Sequence, residues 1–385
     1  MGEDIRFGTV AGVRVGASWS LVVILGLITW TLGADVLPAT APDAPTAAYW
    51  SVAVVAAVVF LACLLAHELA HALVARSRGM QVEGITLWMF GGVSRLKSEA
   101  PDARTERRMA LAGPVASLAL GAGFVALALL FGIAGAPDVA VAAMSWLGVV
   151  NGMLAVFNLL PAFPLDGGRV LRAAIWRRTG DLRRATVVAT RYGRHSGYAL
   201  IFLGAFAVLA GGGIGGIWLA LLGWIILDAA RMEEAGFELR YLLRGVRVAD
   251  VMTPDPVTVP ADLTVEDLIR HYVALYRCSA FPVTDHDGRA AGLVTLSRIR
   301  DVPGNARATT TVAQVAAPLD RVVTTRPDDE LVDLIGRFTV GSGRRALVME
   351  GAALIGIVTA SDIERTLEVA GVEGAALHTP AHMPH

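Results

Sequence analysis

Long uncharged runs alternate with arginine-rich stretches up to about residue 231, after which apolar and charged residues mix evenly. That change predicts two modules. Uncharged stretches near 18 to 34, 49 to 66, 109 to 134 and 139 to 163 approach or exceed the roughly 20 residues a helix needs to cross a bilayer. They predict four spans. From Ser196 to Leu227 the chain again lacks charge, and Gly211, Gly212, Gly213, Gly215 and Gly216 interrupt it, so two further helices joined by a tight turn are expected. Loop charges orient the six, because cytoplasmic loops collect Lys and Arg. Arg76, Arg78, Arg95, Lys97, Arg104, Arg107 and Arg108 lie between spans two and three, and eight arginines from Arg169 to Arg194 lie between spans four and five. The other loops, 35 to 48, 135 to 138 and 211 to 216, carry no Lys or Arg and read as external. Both termini are then cytoplasmic, and the first segment, with Arg6 and Arg14, lacks the pattern of a cleavable signal peptide.

Composition agrees with a multi-pass protein of the cell membrane. Of 385 residues 55% are hydrophobic and only 17% charged, against about 25% charged in soluble domains. With 33 basic and 34 acidic residues the net charge is -1, so no nucleic-acid partner is expected. Cys63 and Cys278 fall in different modules, which excludes a disulfide scaffold.

Span two ends in His67-Glu68-Leu69-Ala70-His71, an H-E-x-x-H pattern in an otherwise apolar run from Val52. On a helix the i, i+4 spacing stacks the two imidazoles on one face, where they can share one Zn²⁺, with Glu68 beside them to take a proton from the attacking water. In a soluble helix the same pattern is as often a polar surface. Within hydrocarbon a charged side chain costs roughly 2.5 kcal/mol or more, and ionisable residues there mark a site.

A hydrolytic zinc needs a third protein ligand. Asp166 is the leading candidate, in Asn158-Leu159-Leu160-Pro161-Ala162-Phe163-Pro164-Leu165-Asp166-Gly167-Gly168, where prolines break the span and glycines let the backbone bend around the carboxylate. Its alternative role is to cap the helix that follows. Cys63 and His195 are rivals, better read as a packed thiol and an interfacial histidine, while His378, His382 and His385 read as a solvated tail.

Together, His67, Glu68, His71 and the distant Leu165-Asp166-Gly167 resemble the intramembrane metalloproteases of the site-2 protease type, in the branch carrying a regulatory domain after the last span. The resemblance implies that His67, His71 and Asp166 hold zinc, that Glu68 activates water, and that Asn151 and Asn158 position substrate or its oxyanion. For the two asparagines, interhelical hydrogen bonding, worth about 0.6 kcal/mol on average, is an equal reading. Gly84 to Val93 is similar to the family's membrane-associated β-hairpin, which would pair with an unwound substrate. Leu111-Ala112-Gly113-Pro114-Val115-Ala116-Ser117 matches the family's Gly-Pro segment, but Ser117 stands where Asn is common, which weakens a polar role there.

The tail repeats itself over 248 to 302 and 311 to 369: an extended start, a helix with an acidic cap and a late apolar strand, Ala291 to Thr295 and Ile355 to Thr359. The order resembles tandem cystathionine-β-synthase (CBS) domains, which often bind adenine nucleotides. By that resemblance Thr359 and Asp362 would hold a ribose, whereas the first repeat has Arg298 in place of the carboxylate.

The expected fold is thus a polytopic α-helical membrane domain of six transmembrane helices with a short hairpin (1 to 231), a linker (232 to 247), an α+β tandem CBS module (248 to 302 and 311 to 369) and a tail (370 to 385). The expected function is intramembrane zinc endopeptidase acting on a single-span membrane protein, with the CBS pair as a regulator and homodimer contact. The resemblance further implies release of a cytoplasmic factor after another protease has trimmed the substrate. A CBS-regulated divalent-ion transporter and a catalytically silent scaffold are the alternatives, and only hydrolysis requires Glu68.

Overall fold

The computed structural model describes residues 4–89, 91–96, 100–276, 278–338 and 344–376. It divides into two compact units, Met1–Ala235 and Gly236–His385. His378, His382 and His385 lie outside the described residues.

The first unit opens with strands β1 (Ile5–Val10) and β2 (Val13–Ala17), which join β3 (Val82–Trp88) and β4 (Gly91–Leu96) in one sheet of order β1-β2-β3-β4. β2 and β3 run parallel, and β3 and β4 pair antiparallel from Val82 opposite Leu96 to Trp88 opposite Gly91. Alternation places Val13, Ala17, Ile85 and Leu87 on the face that packs against Leu64 and Ala72. Those two belong to α3 (Thr46–Ser77), about 48 Å long at 1.5 Å per residue.

Around α3 stand α1 (Ser20–Thr31), continued through one wide turn at Leu32–Val36 into α2 (Leu37–Thr40), then α4 (Ala103–Ile133) and α5 (Asp138–Asn158). The chain continues into α6 (Asp166–Thr179), α7 (Leu182–Leu209) and α8 (Gly213–Leu242). Among the described residues five helical segments are long and apolar enough to cross a membrane: Ser20–Thr40, Thr46–Ser77, Ala103–Ile133, Asp138–Asn158 and Gly213–Leu242. α7 falls outside that set because its first half carries Arg183, Arg184, Arg191 and Arg194. Its uncharged half packs on α8 through glycines seven residues apart. A Cβ on Gly197 would lie 2.8 Å from Gly223 O, and one on Gly204 would lie 2.5 Å from Ala220 N. Small residues allow such backbone approach between membrane helices.

The fourth apolar stretch, expected to run to 163, is helical only to Asn158, because Pro161 and Pro164 cannot supply the N–H groups that would prolong it. The stretch expected as a linker, 232 to 247, holds the boundary between the two units and is helical as far as Leu242 at the end of α8.

In the second unit two four-stranded sheets exchange their edges. β6 (Val259–Pro260), β7 (Ala280–Thr284), β8 (Ala290–Thr295) and β9 (Ala317–Pro318) form one. The other is β10 (Val323–Thr325), β11 (Ala346–Glu350) and β12 (Ala353–Val358), closed by the early strand β5 (Thr253–Pro254). Each half thus lends its first short strand to the other, and Ala280, Leu293, Leu347 and Ile357 make a shared apolar cluster.

Candidate metal centre

His67 and His71 sit on α3 one turn apart, their rings 4.8 Å between centroids. Asp166 is the first residue of α6, where a helix N-terminus favours a carboxylate. The loop before it is folded tightly. Gly168 leaves no room for a Cβ beside the Phe163 backbone, Gly167 none beside the carbonyls of Leu159 and Leu160, and Gly193 of α7 none beside Phe163 O. Phe163 is buried, and the Arg172 guanidinium lies 5.1 Å from its ring centroid. Arg172 also forms a buried ion pair with Glu106, which ties α6 to α4. Removing one partner of such a pair typically costs roughly 3–5 kcal/mol.

This packing brings Asp166 Oδ2 to 3.2 Å from Nε2 of His67 and 3.2 Å from Nε2 of His71. One ligand atom from each of the three residues lies within 4.8 Å of the others, and His67 is buried. The far sides of both rings are also engaged. His71 Nδ1 donates to Met109 O at 2.7 Å, and His67 Nδ1 is 2.8 Å from Ser117 Oγ. Since a carbonyl only accepts, His71 carries a proton on Nδ1 and turns Nε2 inward toward Asp166. Two imidazole nitrogens and a carboxylate oxygen are the donor set of a hydrolytic zinc site with one position left for water. Glu68 is half-buried, and Gly92 of β4 packs directly on it: a Cβ at 92 would lie 2.7 Å from the Glu68 carboxyl carbon.

Other expected residues lie elsewhere. Cys63 is buried beside Asn151, and His195 turns Nδ1 to Arg191 O, 2.7 Å away on its own helix, so neither joins the cluster. Asn151 is fully buried and donates back to Leu147 O at 2.8 Å, and half-buried Asn158 donates to Leu154 O at 3.0 Å. Ser117 departs from expectation. Its hydroxyl is polar contact for His67, because a serine one turn beyond Gly113 on α4 is close enough to reach the ring. Met109 escaped sequence reading, and Gly113 and Gly92 entered it only as parts of the Gly-Pro segment and of the hairpin, with no contact to the site. The i, i+4, i+8 spacing of Met109, Gly113 and Ser117 was visible, but only packing shows that this face meets α3. In the second unit Asp362 is buried; its Oδ2 accepts from Thr359 N at 2.9 Å and Thr359 Oγ1 at 2.6 Å.

The peptidase family M50 model matches residues 55–138 and 132–204, and the CBS domain model matches 248–304. A Mycobacterium tuberculosis protein named zinc metalloprotease Rip3 is 48% identical over 96% of this chain and 94% of its own length. A zinc metalloprotease of Methanocaldococcus jannaschii is 25% identical over 96% of this chain and 97% of its own. The solved site-2 protease from Methanocaldococcus jannaschii aligns over 60% of this chain and 94% of its own, with 26% identity and a TM-score of 0.41. The chain belongs to peptidase family M50, the site-2 protease family, and is a multi-pass membrane zinc metalloprotease that carries a CBS domain.

Proposed function

We propose that His67, His71 and Asp166 hold the zinc and that Glu68 is the general base for hydrolysis of a peptide bond within a single-span substrate helix. The observation that carries this reading is the convergence of three ligand atoms, from residues up to 99 apart in the chain, within 4.8 Å. When bound, zinc supplies Lewis-acid polarisation of water and of the scissile carbonyl. Glu68 takes the proton of the attacking water and returns it to the leaving amine. The Met109 carbonyl holds the His71 ring in place, and the α4–α6 ion pair holds Asp166 opposite it. β4, the edge strand of its sheet and packed at Gly92 on Glu68, offers backbone groups to an unwound substrate as an added strand. Asn151 and Asn158 are the proposed residues for steadying that substrate.

Six spans with both termini cytoplasmic fit the loop charges, with the uncharged half of α7 as the fifth, packed through Gly197 and Gly204 on α8. To test the reaction, single-span helices reconstituted with the enzyme are digested and the products weighed by mass spectrometry. Cuts should fall inside the apolar stretch; cuts only in flanking polar sequence would contradict an intramembrane site.

The second unit is proposed as a tandem CBS pair, 248 to 302 and 311 to 369, that regulates the protease and serves as a homodimer contact. The exchange of edge strands between its two sheets supports the pairing. Thr359 and Asp362 are proposed to meet the ribose of an adenine nucleotide, with Asp362 exchanging its Thr359 hydrogen bonds for the sugar hydroxyls. Asp362→Ala should weaken ATP or AMP binding at least tenfold by calorimetry, and unchanged binding would remove that site from the account.

A further inference from the structure

Helix α4 supplies no ligand to the cluster, yet one of its faces touches both imidazoles and the helix that carries Asp166. Glu106, Met109, Gly113 and Ser117 follow at spacings of three, four and four, which align on one side of a helix. Glu106 pairs with Arg172 on the helix that carries Asp166, the Met109 carbonyl accepts from His71, and Ser117 meets His67. Between them Gly113 faces the ligand atoms themselves. A Cβ there would stand 2.5 Å from His67 Nε2 and closer still to His71 Nε2, in the space that both Nε2 atoms face. No flexible side-chain end can yield, because the rings are fixed from behind.

We infer that Gly113 and Ser117 of α4 are positioning residues of the metal centre: Gly113 keeps open the volume the ion fills, and the Ser117 hydroxyl fixes the orientation of the His67 ring. The inference rests on the metal reading above. With zinc on Nε2 the His67 proton would sit on Nδ1, 2.8 Å from Ser117 Oγ, which would accept it as the Met109 carbonyl accepts that of His71. Partners of this kind typically contribute 10–100-fold in metal affinity. Ser117 is fully buried, so its hydroxyl is not replaced by bulk water when removed.

The test uses the full chain purified in detergent, with zinc content from elemental analysis and affinity from competition with a chelating dye. Gly113→Ala should hold less than a tenth of the wild-type zinc. Gly123→Ala, on the same helix where a Cβ meets nothing within 4 Å, should hold all of it. Ser117→Ala should bind zinc about 10–100-fold more weakly, and Ser117→Thr, which restores the hydroxyl, should recover most of that loss. Wild-type zinc affinity in Gly113→Ala or in Ser117→Ala overturns the inference, as does a Thr variant no better than Ala at equal thermal stability. His71→Ala separates the levels. If it keeps its zinc, the metal reading itself fails; if it loses zinc while Ser117→Ala does not, only the role of α4 fails.

Discussion

Glu68→Gln is expected to keep its zinc and lower cleavage by about 10²–10⁴-fold, the usual contribution of a positioned acid–base group. The amide has nearly the shape of the carboxylate but cannot take a proton from water. Position makes the comparison clean. Glu68 follows His67 on α3, and the Gly92 backbone of β4 lies against its side chain, so Gln occupies the same confined volume. The measurement is initial cleavage rate of a reconstituted single-span substrate, with zinc content determined on the same preparation. A transporter would be indifferent to this change, since moving a cation needs no proton acceptor at that atom. Full cleavage by Glu68→Gln would assign the proton transfer to another group.

Asp166→Ala is expected to have the larger effect on the metal. It removes the one carboxylate of the set and leaves two imidazoles that cannot close a site of three protein ligands. Zinc should fall from about one ion per chain to less than a tenth, and cleavage should become undetectable. The variant also separates the two roles available to a carboxylate at the first position of α6. If Asp166 served only the helix terminus, Asp166→Asn would keep zinc and cost roughly 0.3–1 kcal/mol in stability. Elemental analysis and thermal unfolding of both variants decide between them.

Much of the site was legible because its chemistry is encoded locally. H-E-x-x-H needs only helical periodicity to place His67 and His71 on one face, and the two prolines and two glycines around Asp166 announce a broken span. The partners of the imidazoles were not legible. A main-chain carbonyl at Met109 has no signature, and Gly113 reads as a packing glycine until the helix facing it is known. Ser117 was discounted for being the wrong residue type, although distance rather than type decides whether a hydroxyl meets His67. Helix ends followed the same division. Pro161 and Pro164 account for the stop at Asn158, but nothing in the charged stretch after Arg231 shows that α8 continues to Leu242. The exchanged strands β5 and β9 are two residues each, too short for any hydrophobic alternation to reveal their sheet.

The central claim is that one zinc ion is held by two imidazoles of α3 and the carboxylate at the start of α6. X-ray absorption at the zinc edge of the purified chain tests it most directly. The account predicts a shell of nitrogen and oxygen scatterers only, with imidazole multiple scattering equivalent to two rings. A sulfur scatterer, which would bring in buried Cys63, or an imidazole signal of fewer than two rings would contradict it.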